Sequence, residues 1–347
     1  MQKFTIRSDE AGQRMDKYLH KLLKNAPSSF YYKMLRKKNI TLNGKKADGT
    51  EILQLGDTVS SFFSDETFEK FAGYAYSESS SGSESSTGEH KIGSAREDGD
   101  LLLYQKAYQT LRNIRIVHED KDVLLIHKPV NVLSQQAKQG DLSANEWLLG
   151  YLLGQGVITK ETLRTFKPGV VNRLDRNTTG LLICSKSLRG AQIMSDIVRN
   201  RSVEKYYLAV VAGHFAQTES FHGYIVKNEK NNLVSFYPKK EQIPKALQKE
   251  AAPVQTSFEP IHETKEYTVL RVLLHTGKTH QIRAHLRALG HPILGDPKYG
   301  NNALNRKFQV KHQLLHAYEL RFPKIEGMEL SGKTIICEPP EDFTPFL

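Results

Sequence analysis

The stretch that decides the fold is GVVNRLDRNTTGLLICSKS, residues 169 to 187. Its second half, GLLICSKS, is a short apolar run that predicts a buried strand, and the Asn/Thr/Gly-rich residues before it predict a turn at the edge of a sheet. That turn carries a single acid, Asp175, between two bases, Arg173 and Arg176. A carboxylate in such a turn commonly caps it and pairs locally, so this stretch alone does not establish a functional role.

The composition predicts more than one domain and an anionic partner. The chain has 347 residues, of which 39% are hydrophobic, enough for a sizeable core. Its formal net charge of +11 favours nucleic acid or a membrane surface as partner. Two cysteines cannot form a disulfide framework, and neither an apolar leader nor an apolar run of membrane-spanning length occurs. We therefore expect a cytoplasmic protein that does not bind a membrane, and we expect it to be a monomer.

Residues 1–70 predict a small α+β domain. Apolar residues recur at helical spacing over residues 15–23, and Pro27 separates this helix from a second one. An Asn43-Gly44 pair then follows alternating apolar residues, which is the sequence pattern of a tight hairpin turn.

The second helix and the hairpin carry a cluster of bases that we call the N-terminal basic surface: Arg36, Lys37, Lys38, Lys45 and Lys46. A solvated helix end explains the first three equally well, because cations suit the helix dipole there. Taken together, the two groups predict a surface that binds phosphates. The order G-x-R-x-D-x-x-L, L-R-K-K-x-I-x-x-N-G-K and G-D-x-V resembles the S-four-type domain, named for a ribosomal protein, and this resemblance implies an RNA-binding domain over residues 1–70.

Residues 71–111 contain AYSESSSGSESSTGEHKIGSAREDGD, in which Ser, Gly and acidic residues dominate. This composition offers little to bury and is typical of flexible segments. We expect a flexible linker or insertion that tethers two domains, and no RNA contact from its glutamates.

Residues 112–347 predict a larger domain, which the resemblance given below makes the catalytic one. IRIVHEDKDVLLIHKP predicts two short strands, and SANEWLLGYLLG and SLRGAQIMSDIVRN predict helices. VEKYYLAVVAG, KEYTVLRVLLHT and HQLLHAYELRF alternate like strands. Because strands outnumber helices and do not strictly alternate with them, an α+β fold with a mixed or antiparallel sheet is favoured over a doubly wound α/β fold.

Two familiar kinds of site are disfavoured by spacing. Gly277-Lys278-Thr279 suggests a phosphate loop, but Val272 stands where that loop needs its first glycine. The histidines form no H-E-x-x-H pattern, and the cysteines have no paired spacing, so we expect no metal site. Cys184 lies in the apolar run and is interpreted as a core residue.

A second segment, THQIRAHLRALGHPILGD, predicts a helix that presents a cation. Thr279 is a plausible N-cap and Gly290 a C-terminal stop. The helix would bury an apolar stripe made of Ile282, Leu286 and Leu289. Arg283 then falls in the first turn, where a guanidinium binds a carboxylate or phosphate well. A solvated basic face is the equally plausible alternative for this segment alone.

Read together, the segments resemble one family. NRLDRNTTGLLI is similar to the H-R-L-D-x-x-T-S-G-L-L signature of RluA-type pseudouridine synthases, and TGKTHQIRAHLRALGHPILGDPKYG is similar to their second block. KYYLAVVAG resembles the block between them, IHKPVNVLSQ the opening K-P-x-G loop, and LLHAYELRF with EPPEDF the closing block. The matches follow the family order over residues 112–347. With the S-four-type module, they indicate the RluC/RluD-like branch, which modifies large-subunit ribosomal RNA.

Four positions depart from the family pattern. Asn172 stands in place of histidine, Thr179 in place of serine, Lys278 in place of arginine, and Asn131 in place of the loop glycine. Asn tolerates a left-handed backbone better than most residues, so the loop at Asn131 is expected to keep its shape. The departures leave the reaction unchanged and bear on the RNA target.

The resemblance implies a role for each candidate residue. Asp175 matches the catalytic aspartate, which acts at the ribose as nucleophile or base, and Arg283 matches its ionic partner. Tyr207 matches a tyrosine that stacks on the uracil and helps to remove the carbon-5 proton. Arg173 matches the arginine that fills the space left by the flipped base, and Arg176 is expected to meet phosphate or a protein carboxylate. Isomerisation of uridine involves no redox change or phosphate transfer, so no cofactor is expected.

Three alternatives remain open from the sequence. A catalytically silent RNA-binding factor for ribosome assembly could share the scaffold, although intact Asp175, Tyr207 and Arg283 argue against it. A base-excising glycosylase also uses a carboxylate at an anomeric carbon, and release of free uracil would reveal it. Transfer RNA is the alternative substrate to ribosomal RNA.

Overall fold

The computed structural model describes residues 1–7, 10–74, 76 and 93–347, with the backbone alone for residues 93–98. Two sheets organise the described chain, one of four strands near the N-terminus and one of eleven strands. The elements of the first unit are β1 (Gln2–Thr5), α1 (Met15–Leu22), α2 (Ser28–Arg36), β2 (Ile40–Leu42), β3 (Lys45–Lys46), β4 (Thr58–Ser61) and α3 (Asp65–Ala72).

The second unit contains the larger sheet. Its elements are α4 (Gly93–Thr110), β5 (Arg115–Glu119), β6 (Val123–Lys128), α5 (Ala144–Gly154), α6 (Thr162–Thr165), β7 (Gly169–Val170), β8 (Thr179–Ser185), α7 (Leu188–Arg199), β9 (Glu204–Ala212), β10 (Glu219–Asn228), β11 (Leu233–Tyr237), β12 (Ala252–Glu263), β13 (Tyr267–Leu274), α8 (Gln281–Ala288), α9 (Asn302–Lys307), β14 (Leu315–Arg321) and β15 (Thr334–Ile336). Short 3-10 turns lie at Lys240–Gln242, Lys245–Leu247 and Glu341–Phe346.

The first unit packs its helices on a sheet of order β1-β4-β2-β3. The two predicted helices are confirmed, as is the hairpin, in which Asn43 and Gly44 both have positive φ, 50° and 73°. These angles are those of the tight turn that joins two twisted antiparallel strands. Tyr18, on α1, and Phe68, on α3, are fully buried in the core of this unit. All five side chains of the N-terminal basic surface are exposed.

The large sheet is mixed, which confirms the α+β expectation. Its main path runs β11-β10-β12-β13-β9-β14-β8-β6-β5, with β15 on β14 and β7 on β8. The pair β8–β14 is parallel, and the other pairs are antiparallel. At the parallel pair Gly180 approaches β14 closely, since a Cβ there would lie 2.3 Å from the carbonyl oxygen of Ala317. Only a glycine fits at this point, directly after the turn that carries Asp175.

The prediction of a linker over residues 71–111 is wrong for its second part. Residues 93–110 form α4, and Tyr104 and Ala107 are buried in the core of the second unit. A Cβ at Gly150 of α5 would lie 2.2 Å from the Tyr104 carbonyl oxygen, so the two helices touch backbone to backbone. Of the run LLLYQKAY this packing buries Tyr104 and Ala107, and the acidic residues before the run concealed that pattern. Residue 75 and residues 77–92 of the predicted linker lie outside the described residues.

The first unit contacts the second near α6. The Thr165 hydroxyl donates a hydrogen bond to the buried carboxylate of Glu10, and the Arg164 guanidinium lies 3.9 Å from the centre of the Tyr74 ring. A cavity of about 230 Å³ at this junction is lined in part by cations: Lys21, Lys24, Lys160, Arg164 and Lys167. None of the residues around Asp175 lines it, so this cavity is separate from the site described next.

Candidate active site

Asp175 lies in the turn between β7 and β8, and the neighbouring loop fixes that turn. The Ser134 hydroxyl donates to the carbonyl of Leu174 at 2.8 Å and accepts from its N–H at 2.9 Å. The N–H of Thr178 donates to the Asp175 carbonyl at 3.0 Å and closes the turn. The Leu174 side chain is buried, whereas the Asp175 side chain keeps 27% of its surface exposed. The backbone is thus anchored while the carboxylate remains open to a ligand.

Arg283 connects Asp175 to a second carboxylate. Its Nη1 donates to Asp175 Oδ2 at 2.6 Å, and its Nε and Nη2 donate to Asp296 Oδ2 and Oδ1 at 2.7 and 2.9 Å. Burial acts to lower the pKa of Arg283, but hydrogen bonding and charge from Asp296 and Asp175 outweigh it and raise the pKa. A permanently charged guanidinium with fixed donors therefore orients one oxygen of the Asp175 carboxylate.

Asp296 is a site residue that the sequence reasoning missed. Its side chain is fully buried, and its Oδ1 also accepts the backbone N–H groups of Lys298 and Tyr299 at 2.8 and 3.0 Å. Burial acts to raise its pKa, but the hydrogen bonds and charge of Arg283 prevail and lower it. The signal was present in the segment PILGDPKYG, where one acid stands between a buried stretch and a turn. Asp296 fixes Arg283, which in turn holds Asp175.

Tyr207 is placed by β9 beside the same carboxylate. It pairs with Val272 of β13 and Ala317 of β14, and only 6% of its surface is exposed. Burial raises its pKa, and the negative charge of Asp175 raises it further. Tyr207 is therefore a neutral phenol at physiological pH, with an aromatic face in the core cluster that also contains Leu174.

Lys128 hydrogen-bonds both the loop after β6 and the turn that carries Asp175, and the sequence gave it no role. It is fully buried, and its ammonium donates to the carbonyls of Pro129, Val132 and Arg176 at 3.0, 2.9 and 3.2 Å. Burial lowers the pKa of Lys128 to about 7, although the negative charge of Asp175 acts to raise it. One side chain thus ties the K-P loop to the turn that carries the acid.

The helix that carries Arg283 begins one residue later than predicted. Thr279 was expected as N-cap, but α8 runs from Gln281 to Ala288 with His280 as its N-cap residue. His280 has a left-handed backbone, φ 51°, which few side chains adopt. The predicted stop at Gly290 is confirmed by its φ of 87°. The predicted stripe is buried at Ile282 and Leu286 and half-buried at Leu289.

The structure brings three of the predicted residues, Asp175, Tyr207 and Arg283, into one site. Arg173 and Arg176 lie exposed at its rim, and Arg176 Nε donates to the Asn131 carbonyl at 3.2 Å. Asn131 has the left-handed φ, 65°, that a glycine would adopt. The N-terminal basic surface lies in the other unit, on α2 and the β2–β3 hairpin.

One group of side chains has the composition of a metal site. The potential ligand atoms of His118, Asp120 and Glu329 lie within 4.8 Å of one another. However, Asp120 Oδ1 caps a turn by accepting the N–H groups of Asp122 and Val123, both at 2.7 Å, and Asp120 Oδ2 faces His118 Nε2 at 3.4 Å. Local hydrogen bonding accounts for the position of Asp120, and Glu329 is exposed, so we assign no metal to this group.

Several known proteins are similar to this chain in sequence or in fold. Residues 122–288 match the family described as RNA pseudouridylate synthase. A Vibrio cholerae protein named ribosomal large subunit pseudouridine synthase C is 30% identical over 326 residues, which cover 91% of this chain and 87% of that protein. A Borreliella burgdorferi protein named ribosomal large subunit pseudouridine synthase D is 31% identical over 238 residues, which cover 67% of this chain and 68% of that protein. The solved structure of human RNA pseudouridylate synthase domain containing 4 covers 70% of this chain and 95% of its own, with a TM-score of 0.53 and 20% identity.

These matches, together with the fold and the buried carboxylate–guanidinium site, define an RNA-modifying isomerase. The chain belongs to the RNA pseudouridylate synthase family and is similar to its RluC/RluD branch. The resemblance to RluA-type pseudouridine synthases that the sequence motifs indicated is thereby confirmed. The protein is an enzyme that acts on RNA and converts uridine to pseudouridine.

Proposed function

We propose that this enzyme isomerises specific uridines of large-subunit ribosomal RNA and that Asp175 carries the reaction. The names of the Vibrio cholerae and Borreliella burgdorferi relatives support the substrate class. The observation that carries the catalytic assignment is the hydrogen bond of 2.6 Å from Arg283 to Oδ2 of Asp175. A ribosomal substrate also leads us to propose a cytoplasmic location. None of the described helices has the length and apolarity needed to cross a membrane.

The position of Asp175 suits chemistry at the ribose. The reaction breaks the bond from the base nitrogen to the anomeric carbon, turns the base, and rejoins it through carbon 5. A carboxylate begins this as a nucleophile at the anomeric carbon or as a base at the 2′ position. Among the described residues, hydrogen bonds reach only Oδ2 of Asp175, so Oδ1 is available to the sugar. The guanidinium keeps the carboxylate ionised and fixes its direction.

Tyr207 supplies a surface for the base in this proposal. Its ring belongs to β9, a strand in the middle of the large sheet, and is therefore rigidly placed. The raised pKa keeps the phenol neutral, which favours stacking on the uracil over removal of the carbon-5 proton by a phenolate. A fixed aromatic face holds the base while its glycosidic bond is broken.

The exposed cations extend the site towards RNA. Uridine in a folded helix must leave the stack before the carboxylate reaches its ribose. In this proposal Arg173, which is exposed beside Asp175, fills the gap left by the base, and the exposed Arg176 contacts a backbone phosphate. The N-terminal basic surface would add contacts to phosphates further along the RNA, in keeping with an S-four-type domain. The target RNA would then be selected by its shape, both at the rim of the active site and at the N-terminal basic surface.

The substrate class is tested with purified protein and two RNAs. Large-subunit ribosomal RNA and a transfer RNA pool, both transcribed without modification, are incubated with the enzyme and mapped for pseudouridine. We expect discrete sites in the ribosomal RNA and none in the transfer RNA. Efficient modification of transfer RNA alone would contradict the proposed substrate while leaving the reaction unchanged. Mapping ribosomal RNA from cells with and without this gene identifies the uridines concerned.

A further inference from the structure

His280 faces the Asp175 carboxylate from the start of α8. Its Nε2 lies 3.9 Å from Asp175 Oδ2, the oxygen that also accepts from Arg283. Its side chain is 8% exposed, so the imidazole is shielded from solvent at this position. At 3.9 Å the contact is electrostatic and not a direct hydrogen bond.

Tyr299 determines which nitrogen of His280 carries the proton. The Tyr299 hydroxyl lies 2.9 Å from His280 Nδ1 and accepts the backbone N–H of Val234 at 2.7 Å. With Val234 donating to the oxygen, the phenolic proton is available for Nδ1. The opposite tautomer would aim a nitrogen lone pair at the Asp175 carboxylate, which is repulsive. The remaining proton is therefore assigned to Nε2, directed at Asp175.

Charged groups from several elements surround this imidazole. Burial lowers the pKa of His280; Asp175 and Asp296 act to raise it, whereas Arg283 and Lys298 act to lower it. The net shift is downward, so His280 is neutral at physiological pH. A neutral N–H dipole attracts the carboxylate without neutralising it, and leaves it able to react.

The backbone of His280 supports a positioning role. Its φ of 51° lies in the left-handed region, which costs a non-glycine residue free energy that surrounding structure must offset. A glycine would adopt this left-handed backbone without that cost. Such strain concentrates at sites where a side chain must be aimed.

We propose that His280 is a positioning residue for Asp175: held by Tyr299, it directs Nε2–H at Oδ2 and, with Arg283, keeps Oδ1 turned towards the ribose. This inference rests on the proposed function of Asp175. The same contacts connect the β10–β11 hairpin to Asp175. Val234 of β11 hydrogen-bonds the Tyr299 hydroxyl, and that hydroxyl holds the His280 imidazole.

The test is His280→Gly, which removes the imidazole and suits the backbone. We expect the melting temperature to fall by only a few degrees, because relief of the left-handed backbone strain offsets part of the loss of the buried imidazole and its hydrogen bond to Tyr299. Affinity for a short RNA substrate should stay within about twofold of wild type. The single-turnover rate should fall by about ten- to a hundredfold, the size expected when a reacting group is misplaced. Free imidazole at millimolar concentration should restore part of the rate. His214 is exposed, so His214→Gly is the matched control. It should keep the wild-type single-turnover rate, and added imidazole should not alter that rate.

A wild-type rate in His280→Gly would overturn the inference. So would a rate loss that matches a loss of RNA affinity, or one that imidazole leaves unaltered. Tyr299→Phe adds an independent check, because it should lower the rate while His280 is present and have no further effect in His280→Gly. Asp175→Asn assayed in parallel separates the two proposals: full activity in that variant removes the proposed function itself, whatever His280→Gly does.

Discussion

Replacing Arg283 by methionine should destabilise the enzyme strongly as well as inactivate it. Asp296 is fully buried, and Arg283 is its ionic partner. Methionine keeps much of the volume but leaves that carboxylate without a countercharge. Breaking a buried pair from one side costs about 3–5 kcal/mol. For a domain of about 150–250 residues each kcal/mol shifts the melting temperature by about 2–4 °C, so we expect a fall of roughly 6–20 °C.

The double variant Arg283→Met with Asp296→Asn separates stability from chemistry. The amide oxygen of asparagine can still accept the N–H groups of Lys298 and Tyr299, and no buried charge remains. It should recover about 2 kcal/mol or more of the loss, because an uncompensated charge is the main penalty. Turnover should remain undetectable in both variants, since Asp175 has lost its donor. A double variant as unstable as the single one would refute this reasoning.

The pH dependence of the single variant follows from the same charge. In the wild type the pKa of Asp296 is lowered by Arg283, so its stabilising contribution is present above the unfolded value and is lost only in strong acid. Without Arg283, burial, the largest influence on this carboxyl, is opposed only by the N–H groups of Lys298 and Tyr299, and we expect it to raise the folded pKa above the unfolded one. The variant should then regain stability as the pH falls through that raised pKa, and the gap to wild type should narrow between about pH 7 and pH 4. Urea unfolding at several pH values measures this gap, and a gap that stays constant would contradict it.

Three further predictions address other parts of the molecule. Changing the five residues of the N-terminal basic surface to glutamine should weaken binding to long RNA and flatten its salt dependence, while short substrates still react; an unaltered salt slope would exclude that surface. Gly150→Ala should destabilise the second unit, because its Cβ would lie 2.2 Å from the Tyr104 carbonyl oxygen. Gly154→Ala in the same helix is the control: its Cβ would contact nothing, and the variant should be as stable as the wild type or more so. Equal melting temperatures for the two variants would contradict the α4–α5 packing. Tyr207→Leu should weaken binding of a uridine-containing RNA by about 1–3 kcal/mol through lost stacking, Tyr207→Phe should not, and equal affinities would argue against the stacking role.

Local sequence rules predicted the regular elements well. The Asn43-Gly44 turn, the helices on either side of Pro27 and the strands of the large sheet follow from periodicity and turn chemistry within short windows. The order of the strands does not, because the parallel contact between β8 and β14 joins residues more than a hundred positions apart. The α4 helix was missed for a related reason: its apolar residues are recognisable only once α5 is beside them.

The sequence predicted only part of the site, because local motifs reveal some of its residues and long-range contacts decide the others. Asp175, Arg283 and Tyr207 stand in motifs, so resemblance found them. Asp296 and Lys128 act by holding other residues. The segment PILGDPKYG marks Asp296 as an acid beside a buried stretch, but local sequence does not identify its ionic partner. The sequence predicted Thr279 as the N-cap and gave His280 no role, because a left-handed histidine at a helix start is rare and no pattern predicts it. Tertiary contacts over long separations decide these roles.

The most direct test of the account is single-turnover conversion by purified, folded Asp175→Asn. Asparagine keeps the size and much of the hydrogen bonding of aspartate but removes its charge and nucleophilicity. If Asp175 performs the chemistry, pseudouridine should fall below detection, a loss of at least several kcal/mol at about 1.4 kcal/mol per tenfold. RNA affinity should stay within a few-fold or rise, because a charge that repels phosphates has gone. If Asp175 only capped a turn, the change would cost about 1 kcal/mol of stability, and pseudouridine formed at near the wild-type rate would contradict the catalytic assignment.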